Sequence, residues 1–306
     1  MQDDPEAPIR RAQLHALLGR LPPVDWVMEA RESVVSAPDQ YRCERLALRS
    51  RAGAKSRAFL TGPSGDWRGL PAIIYCHAHG NRYAIGAAEL LEGRPALIDP
   101  PYGETLAAAG IVALAIDLPC FGNRATESES AEAKRHFWQG TTLFGQMLAE
   151  LAGLLPVLKQ IGGVDPARIG TMGISMGGTL AFWLAALEPR IRAVAQLCVF
   201  ADIETLVRTG GHDLHGIYMT VPGLNPACST GAIAGLAAPR PQFVAIGRED
   251  PLTPPDAFAT AAADLTEAYA RSGAADALAI HAFDGVGHHE TPQMRREVME
   301  FLAANL

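Results

Sequence analysis

Arg168-Ile169-Gly170-Thr171-Met172-Gly173-Ile174-Ser175-Met176-Gly177-Gly178 is the stretch that decides the fold. Its first part reads as an apolar buried strand, and residues 176–187 read as a helix. Between them stands a serine flanked by glycines two before and two after. A strand-to-helix turn of this kind lifts the hydroxyl out of the sheet and aims it at a substrate. It also forces an unusual backbone conformation on Ser175, and the glycines remove side chains that would collide there. The helix start supplies free N–H groups and partial positive charge beside the hydroxyl. The pentapeptide is short enough to arise by chance, so its surroundings must carry the argument.

Working outward, apolar runs of buried-strand type recur at 72–76, 111–116, 191–199, 242–246 and 277–283. They are continuous rather than alternating, as expected for strands covered on both faces. Helical segments separate them at 101–109, 143–158, 255–271 and 291–304, with Pro156 expected to kink or split the second. Residues 42–50 and 55–61 read as two strands around a tight turn, which gives the sheet an antiparallel start. This alternation predicts an α/β fold: one doubly wound, mostly parallel sheet in a single domain spanning 1–306. Residues 1–40 read as an N-terminal helical extension. The irregular span 201–238, with Gly210-Gly211, Pro222-Gly223 and Asn225-Pro226, reads as a lid or pocket-wall insertion over the C-terminal edge of the sheet.

Composition limits the function classes. A chain of 306 residues can bury a sizeable core without disulfides. Its net charge of −7 and the absence of a basic run argue against a nucleic-acid partner. No apolar stretch reaches membrane-spanning length, so no membrane partner is expected. The N-terminus reads as an amphipathic surface helix rather than a signal peptide, and the expected location is cytoplasmic. The five cysteines contain no C-x-x-C pair and read as small buried hydrophobes of a reducing compartment.

A nucleophilic serine needs a base, an acid and an oxyanion site. His288 follows the last strand in a glycine-rich loop, Asp284-Gly285-Val286-Gly287-His288, and is favoured over its neighbour His289. Asp250 follows the preceding strand, so both loops open on the same edge; Asp202 is the fallback acid. The oxyanion donors expected are the backbone N–H groups of Met176 and Asn81, with Gly80 as an alternative to Asn81. His79 is expected to brace that loop or to touch substrate. Arg82, Phe121, Trp138 and Tyr218 are candidate substrate-binding residues, with Phe137 as a further apolar wall and Arg124 as a further carboxylate partner. His77-x-His79, with Asp117 at the end of the next strand, allows a rival reading as a metal hydrolase.

The order Ser, Asp, His on successive strand ends resembles the α/β-hydrolase fold, within it the esterases grouped with dienelactone hydrolase and acetyl xylan esterase. The resemblance covers about residues 42–304. It is carried by His79-Gly80, by Asp117 to Gly122, by Asp165 to Gly170 leading into Gly-Ile-Ser-Met-Gly-Gly, by Ala238 to Pro241, and by Gly-x-x-Asp and Gly-x-Gly-His. It implies a cofactor-independent serine carboxylester hydrolase acting on a small-molecule ester. Dienelactone hydrolases proper use a cysteine nucleophile, and the serine at 175 shifts the expectation toward ordinary esters. The fold also hosts receptors that keep a triad for ligand binding, which is the competing non-enzymatic reading.

Overall fold

The computed structural model describes residues 6–34, 41–225 and 227–306; Pro226, part of the expected Asn225-Pro226 turn, lies outside them. The strands are β1 (Trp26–Ser33), β2 (Tyr41–Ser50), β3 (Lys55–Pro63), β4 (Leu70–Cys76), β5 (Val112–Ile116), β6 (Val164–Ile174), β7 (Val194–Leu197), β8 (Gln242–Gly247) and β9 (Leu278–Phe283). Among the described residues they form one sheet in the order β1-β2-β3-β5-β4-β6-β7-β8-β9. The pairings from β1 to β5 are antiparallel. Those from β5 through β4 to β9 are parallel. The doubly wound sheet with an antiparallel start is therefore as the alternation of apolar runs implies.

The helices are α1 (Ala7–Leu18), α2 (Glu89–Glu92), α3 (Tyr102–Ala108), α4 (Glu129–Trp138), α5 (Leu143–Ala152), α6 (Leu154–Gln160), α7 (Met176–Leu187), α8 (Ile203–Thr209), α9 (Thr230–Gly235), α10 (Pro255–Arg271) and α11 (Pro292–Asn305). Two cores lie on the two faces of the sheet. One gathers apolar residues of α1, α5, α6, α7, α9 and α10 with Ile74 and Cys76 of β4. The other gathers those of α2, α3 and α11 with Ile73 and Tyr75. Neighbours along β4 thus face opposite cores, which explains why the strand is apolar throughout rather than alternating.

Two differences from the sequence reading have local causes. Of the segment 1–40, residues 1–5 and 35–40 lie outside the described residues; the rest is helical over α1, but Trp26–Ser33 is a strand that lengthens the antiparallel start. The Trp26 side chain is buried, and its indole N–H donates to the Glu150 carbonyl at 2.9 Å, drawing this segment against α5. The helix around Pro156 is split, and the break falls at Gly153, before the proline. A Cβ on Gly153 would meet the Val24 carbonyl at 2.3 Å, so the lead-in to β1 passes there. Pro156 then sits in the first turn of α6, where a missing N–H leaves no helical bond unmade.

Candidate active site

Ser175 links β6 to α7 with φ 57 and ψ −125. Its N–H donates to the Leu197 carbonyl at 2.9 Å, which ties the turn to β7. A Cβ on Gly173 would meet the Cys76 carbonyl at 2.4 Å, and one on Gly177 would meet it at 1.9 Å. The end of β4 therefore packs directly on the turn, and glycine is the residue that permits this approach.

Loops after β8 and β9 bring the other two groups to the serine. His288 Nε2 lies 2.9 Å from Ser175 Oγ, and His288 Nδ1 lies 2.7 Å from Asp250 Oδ2. Asp250 is buried, and its Oδ1 accepts from the Leu252 N–H at 2.9 Å. The two loops are zipped together: Arg248 N–H donates to the Phe283 carbonyl and Glu249 N–H to the Val286 carbonyl, each at 2.9 Å. Behind His288, Glu290 accepts from the Tyr102 hydroxyl at 2.5 Å and from Arg295 at 2.6 and 2.7 Å. This buried ion pair anchors the base loop to the segment before α3.

The acid and base alternatives have other duties. Asp202 caps α8, accepting from the N–H and the hydroxyl of Thr205 at 2.9 Å each. His281 lies on β9 against Glu297 at 2.5 Å. The His289 N–H donates to the Gly287 carbonyl at 2.9 Å.

Met176 is the first residue of α7, so its N–H has no acceptor within the helix and lies beside the nucleophile. The second expected donor differs from the sequence reading. The Asn81 N–H donates to His79 Nδ1 at 3.0 Å instead of standing open. His79 Nε2 in turn lies 2.5 Å from Glu129 Oε2, which fixes the ring with its proton on Nε2. Glu129 also accepts from the Tyr83 hydroxyl at 3.0 Å and from the Tyr218 N–H at 2.8 Å. Burial opposes its charge, yet the bonds from His79, Tyr218 and Tyr83 outweigh burial and hold the carboxyl below the usual range. Glu129 thus joins the 79–83 loop, α4 and the insertion, and nothing in its sequence context marks it.

Of the remaining substrate-binding candidates, Trp138 is corrected by its position. Trp138 is 91% exposed, because the buried positions of α4 are Glu129, Ala133 and His136 and leave residue 138 on the solvent side. Phe121 is fully buried, within 5.0 Å of the His77 ring and 5.2 Å of the Tyr83 ring, centroid to centroid. Tyr218 is buried between His79 and Phe144. Phe137 packs against the core. Arg124 pairs with the buried Glu150, and Arg82 is exposed. His79 braces the loop through both ring nitrogens.

The metal reading finds no support in the partners of its donors. His77 is fully buried, with Nδ1 3.1 Å from the Ala78 carbonyl and Nε2 3.4 Å from the Leu118 N–H. Both nitrogens of both histidines are therefore engaged by protein groups. Asp117 accepts from Arg57 at 2.9 Å and from the N–H groups of Ala87 and Asn123. Among the described residues, no three metal-ligating side chains converge.

The sheet and the strand-end placement of these groups define an α/β-hydrolase. Residues 101–205 match the family model described as the dienelactone hydrolase family. YtaP of Bacillus subtilis (strain 168), which carries a provisional hydrolase assignment, is 35% identical over 96% of this chain and 97% of its own length. The chain belongs to the dienelactone hydrolase family. Among solved structures, a glucuronoyl esterase from Solibacter usitatus superposes with TM-score 0.70 at 14% identity, over 98% of this chain and 92% of that one. Acetyl xylan esterase 1 from Thermoanaerobacterium sp. JW/SL YS485 superposes with TM-score 0.66 at 17% identity, over 99% and 94%. At these identities the likeness is one of fold.

Proposed function

We propose that this protein is a serine carboxylester hydrolase whose nucleophile, base and acid are Ser175, His288 and Asp250. The observation that carries the reading is the continuous chain of hydrogen-bonding distances: Ser175 Oγ to His288 Nε2 at 2.9 Å, and His288 Nδ1 to Asp250 at 2.7 Å. Ser175 Oγ attacks the ester carbonyl while His288 Nε2 takes its proton. Asp250 keeps the other ring proton on Nδ1 and stabilises the imidazolium. His288 then protonates the departing alcohol. Water, deprotonated by the same nitrogen, releases the acid from Ser175.

The Met176 N–H is one donor to the oxyanion in this scheme. The Asn81 N–H becomes the second when the oxyanion forms, because a charged oxygen is a stronger acceptor than a neutral imidazole nitrogen. In the resting site His79 occupies that N–H and holds the loop in place.

Ser175→Ala tests the reading. Turnover of p-nitrophenyl acetate should fall by about 10⁶, as it does when the serine of a comparable triad is lost, while circular dichroism stays unchanged. Wild-type protein should run past one equivalent of nitrophenol after any burst. Retained turnover in the variant, or a wild-type reaction that halts at one equivalent, refutes the proposal, the latter in favour of a ligand-binding protein.

A further inference from the structure

A cavity of about 280 Å³ lies beneath the 201–238 insertion. Phe144, Phe182, Trp183, Leu206, Met219 and Ile233 supply much of its wall. Two observations set it beside the triad. Thr179, one helical turn past Ser175, lines it, and the Thr179 N–H donates to the Ser175 carbonyl at 3.0 Å. His215 also lines it, and the His215 ring lies within the electrostatic reach of both Asp250 and His288.

The wall is mainly apolar, and its polar members are Thr179, His212, His215, Thr220, Asn225 and Thr230. Among the described lining residues none is Asp, Glu, Lys or Arg. Two of its hydroxyls already have partners. Thr230 Oγ1 accepts from the Ile203 N–H at 3.2 Å, and the Thr179 hydroxyl donates to the Ser175 carbonyl at 3.4 Å. Sugar hydroxyls buried here would face mostly apolar surface and leave several of them unpaired, and a uronate would meet no Arg or Lys. Apolar surface carries no such cost and gains by leaving water.

Resting on the serine-esterase reading, we propose that this cavity binds an apolar moiety of about six to ten carbon atoms belonging to the ester that Ser175 attacks. The size follows from volume, since a dry apolar cavity of about 150 Å³ takes a six-carbon ring. The substrate class is thus an ester with one medium-length alkyl or alicyclic half. It is not an acetylated or uronyl-linked polysaccharide.

Two ester series test the assignment and locate the apolar half. One holds p-nitrophenyl as the alcohol and lengthens the acyl chain from acetyl to myristoyl. The other holds acetate and lengthens the alcohol from ethyl to dodecyl. In one series kcat/KM should rise by roughly fourfold per methylene while the chain enters the cavity, and then fall beyond about ten carbons. A rise in the acyl series places the acid half in the cavity; a rise in the alcohol series places the alcohol half there. Met219→Trp should lower the octyl-to-acetyl (or octyl-to-ethyl) ratio of kcat/KM at least tenfold, and Leu206→Ala should move the optimum to longer chains. The ratio is internal to each variant, so partial loss of folded protein does not disturb it. A flat profile in both series, ratios indifferent to both substitutions, or a higher kcat/KM on acetylated xylo-oligosaccharide than on any alkyl ester would overturn the proposal. If Ser175→Ala abolishes acetate turnover and the profiles are flat, only the cavity assignment fails. If Ser175→Ala remains active, the esterase reading itself has failed.

Discussion

Glu129 shows how much the site depends on a residue with no motif. It accepts three hydrogen bonds from two segments far apart in sequence: from His79 and Tyr83 of one loop and from the Tyr218 N–H of the other. A carboxylate can take all three, because its two oxygens accept without donating. An amide can accept at one oxygen only, so Glu129→Gln forfeits the bonds at one of the two oxygens and should leave the loop that carries the Asn81 N–H less firmly placed. The expected result is about a tenfold fall in kcat for p-nitrophenyl acetate with KM nearly unchanged. That is milder than the 10²–10³ expected for removing an oxyanion donor outright. A KM effect without a kcat effect would show that Glu129 only shapes the pocket. Residue types in fixed spacing made Ser175, His288 and Asp250 legible in the sequence. Glu129 was not legible, because its partners are brought together by loops whose paths no local pattern encodes. Trp138 failed for the reverse reason: an aromatic residue suggested a wall, but its helix turns it to solvent.

At the scale of elements, the turn after β6 is set by contact with β4. A methyl group at Gly177 would lie 1.9 Å from the Cys76 carbonyl oxygen and 3.0 Å from that of His77. Backbone cannot swing aside as a flexible side chain can. Gly177→Ala should therefore destabilise the fold by more than about 3 kcal/mol, above the usual cost of overpacking, and urea unfolding with circular dichroism measures it. A loss below about 1 kcal/mol would show that β4 and α7 can separate without cost. The need for glycine near the serine was readable from sequence, but its partner was not. The strand that crowds the turn lies a hundred residues earlier in the chain and became its neighbour through parallel pairing. The split between α5 and α6 was likewise foreseen at Pro156, yet the lead-in to β1 places it at Gly153.

Across the whole molecule, the neutral state of His77 links stability to pH. The ring is fully buried at the end of β4, and it reaches the Leu118 N–H just past β5. Burial, opposed by the Ala78 bond and reinforced by Arg94 and His79, lowers its pKa from 6.5 to about 3. Between those values the unfolded chain carries a proton on this residue that the folded chain does not. Its contribution is therefore complete above pH 6.5 and is lost as pH falls toward 3, by about 1.4 kcal/mol per pH unit. Gln in place of His77 does not titrate. Urea midpoints compared at matched pH below 6.5 should thus fall less steeply for His77→Gln than for wild type, by about one proton. Equal slopes would show that His77 is not held neutral.

The sequence by itself determined the doubly wound sheet, the strand-end positions of Ser175, Asp250 and His288, and the need for glycine at the turn. All of these follow from local periodicity and from short spacings within one turn or loop. Only the tertiary structure decided that Asn81 is held by His79, that Glu129 binds three segments together, and that α5 and α7 join the insertion around an apolar cavity. These features depend on which side chains from distant segments meet, and packing settles that once the whole chain has closed on itself.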